Sequence, residues 1–268
     1  MEVSGSGSTR KATSLNPADQ DRYGRIDGLI DRAALAPKRV TLIGCGSMGS
    51  PVATQLARHG VATRGAGRLR LIDGDRVSLR NLVGTEYRHE HIGMPKAEAA
   101  AGMIRECNNE ANVSYWNKML GREDVRTIRD LAWRSDLLGL FADSFELMLE
   151  IAHDCREVCP QVMAVFGPNA DYAEVAFSIP GSTRSLSKTM GQRKRKTIAE
   201  PQALGCDTLF IASFVVSVCL RLLLGKAKGT ALMPCYANTP LFLVGLRRTW
   251  IFSDQPEDVA RCIVYVQA

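Results

Sequence analysis

Apolar positions along the chain fall into two kinds of segment. Short continuous runs at 38–43, 68–73, 136–142, 161–166 and 172–178 have the length and density of buried strands. Between them the spacing becomes helical. Residues 47–59 carry Val52, Ala53, Leu56 and Ala57 on one face, and 94–107 carry Ala99, Met103 and Cys107 on one stripe. Helices are also predicted at 124–134 and 145–158, with a further strand at 113–116. Regular alternation of strand and helix predicts a mostly parallel sheet covered on both faces.

The remaining segments are less regular. Residues 1–20 are polar and Ser/Gly-rich, which predicts a disordered tail ahead of one domain at 21–268. Residues 21–36 read as a short helix or arm, 60–67 as a Gly-rich loop and 76–92 as irregular structure. A long polar crossover loop is expected at about 180–204, with a cationic run from Arg193 to Lys196. The apolar helix at 205–225 resumes the fold. Strands near 241–246, 248–252 and 261–266 then close the chain as an antiparallel extension. No internal repeat is visible.

Composition narrows the class. At 268 residues, 46% hydrophobic and 23% charged, the chain can bury a substantial core as a soluble protein. The balance of 34 Lys+Arg against 28 Asp+Glu leaves a mild +6. That suits a local basic patch for an anion or an acidic partner, not a dedicated nucleic-acid binder. The apolar stretch from Leu209 to Leu224 is interrupted by Arg221, Ser213 and Ser217, so a buried helix is expected there and no membrane span. The amino terminus lacks a secretory apolar segment, and the 8 cysteines lie mostly in apolar patterns. Reduced core thiols in a cytoplasmic protein are the expectation.

The candidate chemistry starts at Gly44-Cys45-Gly46-Ser47-Met48-Gly49, a G-x-G-x-x-G turn between the first strand and its helix. Gly44 permits the tight turn, Gly46 lets backbone N–H groups approach phosphate, and Gly49 lets the helix pack close. The helix beginning near Ser47 points its positive end at a ligand. The second strand ends in Asp73, where a ribose hydroxyl arrives in such units. The fold class is therefore α/β: a doubly wound, Rossmann-like, mostly parallel sheet with a C-terminal antiparallel extension.

Downstream companions sharpen this. After Asp73-Gly74-Asp75 come Val77, Asn81-Leu82, then Gly93-Met94-Pro95-Lys96, and a strand ending at Asp143; Arg22-Tyr23-Gly24-Arg25 lies ahead of the turn. This ordered set resembles the ThiF/MoeB/HesA family of ubiquitin-activating-enzyme-like adenylyltransferases over about residues 21–225. The resemblance implies ATP- and Mg2+-dependent adenylation of the C-terminal carboxylate of a small ubiquitin-like or sulfur-carrier protein, or of a peptide. Carried over by position, Gly44, Gly46, Ser47 and Gly49 would line the nucleotide. Asp73, with Asp75 beside it, would bind the ribose, and Asn81 and Lys96 would contact the phosphates. Asp143 would hold Mg2+. Arg25 would reach a phosphate from the partner subunit, which implies a homodimer. Cys206, at the start of a helix, is a candidate transfer cysteine.

The chain also departs from the family. Gly84 and Thr85 stand where an Arg and often a Gln are usual, and Asn81 to Lys96 is one residue shorter than in common members. Arg88 is a candidate substitute for the missing charge. The paired C-x-x-C zinc ligands are missing, so no structural zinc is expected. Two alternatives follow: a non-catalytic scaffold that keeps the fold, and a NAD-dependent oxidoreductase using the glycine turn alone.

Overall fold

In a computed structural model, the structure describes residues 22–26, 28–166, 172–191 and 205–225, with the backbones of three further strands at 242–244, 249–254 and 261–267. Residues 1–20 and 192–204, including the Arg193–Lys196 run, lie outside the described residues.

The elements follow the predicted alternation. A single turn of helix, α1 (Arg32–Leu35), leads into β1 (Arg39–Ile43), α2 (Gly49–Arg58) and β2 (Arg68–Asp73). Then come α3 (Lys96–Cys107), β3 (Val113–Asn117), α4 (Val125–Ala132), β4 (Leu137–Leu140) and α5 (Phe145–Asp154). The chain continues through β5 (Gln161–Phe166), β6 (Tyr172–Ser178), α6 (Leu186–Met190) and α7 (Gly205–Leu223). It closes with β7 (Phe242–Val244), β8 (Thr249–Asp254) and β9 (Arg261–Gln267).

The strands form one sheet in the order β3-β2-β1-β4-β5-β6-β9-β8-β7. The pairs from β3 through β5 are parallel, and those from β5 onward are antiparallel. The doubly wound parallel half and its antiparallel extension are both present. The strand order reverses between β1 and β4, and in such sheets ligands enter the crevice outside the carboxyl ends of the strands at that point.

Strand periodicity sorts side chains into two cores. Val40, Leu42, Leu69 and Leu71 face one side, packed with Leu56 of α2, Ile104 of α3 and Val215 of α7. Ile43, Ile72, Leu138 and Leu140 face the other, with Ile128 of α4, Ile151 of α5 and Met190 of α6. Cysteines 155, 159 and 219 are buried free thiols, each pushed up to about 12 mainly by burial. α7 is long and apolar enough to cross a membrane, but 61% of its most apolar window is buried inside the protein.

Differences from the sequence-based expectation sit at element ends and in loops. The strand expected over 136–142 is confined to Leu137–Leu140; Phe141 N–H still donates to Ile43 O at 2.8 Å, and the backbone of Phe141 and Ala142 passes close over Gly44. The polar crossover segment, expected as a loop, contains α6, whose Leu186 and Met190 are buried. That helix is too short for periodicity to reveal. The irregular stretch 76–92 holds 3-10 turns at Leu79–Val83 and His89–His91.

The glycines of the first turn meet different constraints. Gly44 has φ +91, and a Cβ there would lie 2.5 Å from Ala142 N. A Cβ on Gly49 would lie 1.8 Å from Gly44 O. A Cβ on Gly46 meets nothing within 4 Å. Gly49→Ala should therefore destabilise the fold by about 3 kcal/mol, and Gly46→Ala by less than about 0.5 kcal/mol. Urea unfolding of the two variants tests the contrast; equal losses would refute it.

Candidate functional site

The turn after β1 is fastened by the acidic end of β2. Asp73 Oδ2 accepts the Cys45 N–H at 2.6 Å, and Oδ1 accepts the Asp75 N–H at 2.8 Å. Gly44 N–H donates to Ile72 O at 2.8 Å. One carboxylate thus ties the glycine turn to the turn after β2. Burial pushes the Asp73 carboxyl up, opposed by these two amides and by the nearby Lys96 charge. α2 begins at Gly49 with no side-chain cap, as befits a helix start meant to face an anion.

Lys96 opens α3. Its backbone N–H donates to Asp75 O at 2.8 Å, and its ammonium contacts Asp75 Oδ2 at 2.8 Å. The Lys96 side chain is 13% exposed, against 47% for Asp75. A cation in the first turn of a helix opposes the dipole, and Asp75 is what offsets it. Asp75 is therefore more than a turn residue: it holds the lysine.

Tyr87 completes the frame. Its buried hydroxyl lies 2.6 Å from Cys45 O and 3.0 Å from Lys96 O, sharing one proton between two carbonyls. It joins the glycine turn to the start of α3. Nothing in the sequence marks this residue: it stands alone among polar neighbours, with no periodic apolar partner to single it out.

The other candidates are distributed as follows. Asn81 lies in the 3-10 turn Leu79–Val83, where its Oδ1 accepts from Ser78 N at 2.8 Å and Ser78 Oγ at 3.0 Å. Any donation to a ligand would have to come from its Nδ2. Asp143 follows β4 on the same edge of the sheet as the glycine turn; it is exposed and has no hydrogen-bond or ion-pair partner among the described residues. Ser47 is partly exposed within the turn. Cys206 is exposed at the start of α7, and the neighbouring Gly205 packs so closely that a Cβ would lie 2.3 Å from Val83 O. The start of α7 therefore abuts the Asn81 turn.

One placement differs from expectation. Arg88 does not replace the charge absent at Gly84: its guanidinium pairs with Glu90 at 3.3 Å and Glu106 at 3.1 Å on the surface. The arm carrying Arg25 is docked at the opposite edge of the sheet. Tyr23 accepts a hydrogen bond from Asn108 Nδ2 at 2.8 Å, beyond the end of α3, and Arg22 donates to Cys107 O. The Arg32 guanidinium lies 4.1 Å from the Tyr23 ring centroid. The exposed Arg25 is therefore held away from the glycine turn of its own chain.

The geometry is thus a glycine turn anchored by a buried carboxylate, with a lysine and a free carboxylate on the same strand-end crevice. The ThiF family profile covers residues 23–251. The chain belongs to the ThiF family. It is similar to the SAMP-activating enzyme E1 of Haloferax volcanii, 30% identical over 149 residues covering 53% of this chain and 52% of that one. It is also similar to ubiquitin-like modifier-activating enzyme 5 of Caenorhabditis briggsae, 27% identical over 186 residues, covering 63% and 42%. The chain thus spans about half the length of these curated relatives or less. The E. coli MccB structure with ATP shares the fold, with a TM-score of 0.65 at 18% identity, covering 92% of this chain and 71% of that one.

Tyr87→Phe removes the link between Cys45 O and Lys96 O and leaves a buried carbonyl short of a donor. It should cost about 1.5 kcal/mol of stability. Urea unfolding against wild type measures this; an unchanged midpoint and slope would show that the hydroxyl holds nothing.

Proposed function

We propose that the chain is an ATP-dependent adenylyltransferase that activates the C-terminal carboxylate of a ubiquitin-like or sulfur-carrier protein, or of a peptide. The observation that carries this is the joining of Lys96 to the Asp73-anchored glycine turn through Asp75 and Tyr87. A dinucleotide site needs the turn and the acidic strand end; it has no use for a lysine built into the same frame. Family membership supports the same class, as do the activities for which the activating-enzyme relatives are named.

In the proposed reaction the carrier carboxylate attacks the α-phosphorus of ATP. A bond forms from carboxylate oxygen to phosphorus, the bond to the bridging oxygen breaks, and pyrophosphate leaves with the electron pair. Gly44, Gly46, Ser47 and Gly49 would cradle the nucleotide through backbone amides, and Asp73 would accept from the ribose hydroxyls. Lys96 would exchange Asp75 for the phosphates and oppose the charge that develops there. Asn81 would donate through Nδ2.

Asp143 fits a magnesium ion, since a free exposed carboxylate is the hard oxygen ligand that ion takes, usually one or two per site with phosphate and water completing the shell. Among the described residues no group of three or more His, Cys, Asp or Glu could hold a metal by itself. Bound there with the nucleotide, magnesium would neutralise phosphate charge. Arg25 would act in a homodimer, because its arm is docked away from its own turn and could reach a phosphate only in a second copy. Cys206 would be placed to receive the activated acyl group.

A second reading, the non-catalytic scaffold, is favoured by one observation: position 84 is a glycine with no charge of its own, and Arg88 is committed to two glutamates. The two readings separate cleanly. Lys96→Ala and Asp143→Ala should each reduce carrier-dependent pyrophosphate release by about a hundredfold or more. Release equal to wild type in both would remove the assigned site. A wild-type chain that neither binds ATP with magnesium nor releases pyrophosphate with any carrier would be the scaffold.

Gly84 also offers a gain-of-function test, because a Cβ there meets nothing within 4 Å and its φ of −116 suits any residue. Gly84→Arg should fold normally and tighten ATP binding about tenfold, roughly 1.4 kcal/mol, if the crevice is short of positive charge. Calorimetry with ATP and magnesium measures it; weaker binding than wild type would show that the position no longer faces the phosphates.

A further inference from the structure

A pocket of about 400 Å³ opens where β6 ends, at the amino-terminal edge of the parallel strands. β5 alone is six residues long, so the pocket is separated from the glycine-turn edge by about 20 Å along the strands. His153 and Arg156 from the end of α5, Arg184 and Lys188 from the segment after β6, and Ser178 contribute to its wall.

Its charge is one-sided. Arg156, Arg184 and Lys188 face a single carboxylate, Glu157, in the lining, which leaves a balance of two positive charges (three minus one). Arg156 is partly engaged, donating to His153 O at 2.8 Å and lying 3.8 Å from Glu157 Oε1. Arg184 and Lys188 are exposed and have no acidic partner among the described residues.

A second, independent feature points to a ligand. Ser178 is 2% exposed, yet its Oγ has no hydrogen-bond partner among the described residues. Strand alternation sets Ser178 on the face of Ala176, which packs with Met148 of α5 and with Leu186 and Met190 of α6. That is the side on which the pocket opens. A buried hydroxyl without a partner is costly, and a group bound in the pocket would relieve it.

We propose that this pocket binds a phosphate dianion, as orthophosphate or as the phosphate of a small monoester. Arg184 and Lys188 supply the charge, Arg156 flanks it, and the Ser178 hydroxyl donates from the floor. The site is independent of the nucleotide crevice and of the adenylation reaction.

His153 is one of 4 histidines in the chain and lines the pocket, so its ring signals report on this site alone. Orthophosphate and glycerol 3-phosphate are titrated in parallel into the full chain at constant ionic strength, with the His153 resonance assigned by His153→Gln. The expected result is a saturable shift at His153, tighter for whichever source is the physiological one. In Arg184→Gln/Lys188→Gln the half-saturation concentration should rise at least tenfold. The proposal is overturned by no saturable shift at His153, by an equal shift with acetate at the same ionic strength, or by an unchanged titration in the double variant.

Discussion

The arrangement around the glycine turn depends on one buried carboxylate. Asp73 sits at the end of β2 with each oxygen receiving a backbone N–H, from Cys45 on one side and Asp75 on the other. A carboxylate so placed does two jobs. It fixes the turn that follows β1, and it fixes the backbone from which Asp75 reaches Lys96. Burial raises its pKa, so ionisation there is unfavourable until amides and the Lys96 charge offset it. The turn, the lysine and the tyrosine that joins them are therefore one electrostatic unit. Disturbing any member would shift the others.

Charge balance follows from the same unit. Asp73, Asp75 and Asp143 stand on the carboxyl edge of the sheet, and Lys96 is already paired with one of them. Gly84 adds no charge, and Arg88 is held by Glu90 and Glu106. Taken by these residues alone, the crevice is poorly disposed toward a triphosphate. It becomes receptive when helix-start amides face the phosphates and when further cations join. On the adenylation reading a metal at Asp143 and an arginine from a second copy would supply them. On the scaffold reading nothing needs to.

How far the sequence disclosed this differs between levels. The strands and helices were legible because their apolar spacing is strong, as at Val52 and Leu56 in α2 or Leu69 and Leu71 in β2. The glycine turn and Asp73 were legible because each has a backbone reason to be that residue type. The pairing of Lys96 with Asp75 was not. It spans 21 positions across an irregular stretch, and only the fold brings the two together. Tyr87 was invisible for the same reason, since its partners are carbonyl groups, which every residue possesses. α6 was missed because five residues are too few to display a period.

The two edges of the sheet carry different chemistry, and the separation has a simple origin. In a parallel sheet every strand releases its turn at the same edge, so the turns after β1, β2 and β4 meet there without further arrangement. Helices return the chain to the opposite edge, where the ends of α2, α3 and α5 collect. Tyr23 docks among those ends through Asn108, which also donates to Ala57 O at 2.7 Å. That anchorage fixes Arg25 on the far side from its own glycine turn. The same rule puts the cationic pocket at the end of α5 and β6 beyond reach of the nucleotide crevice. A residue at that edge can affect the strand-end chemistry of its own chain only through the sheet, and can touch such chemistry directly only in another molecule.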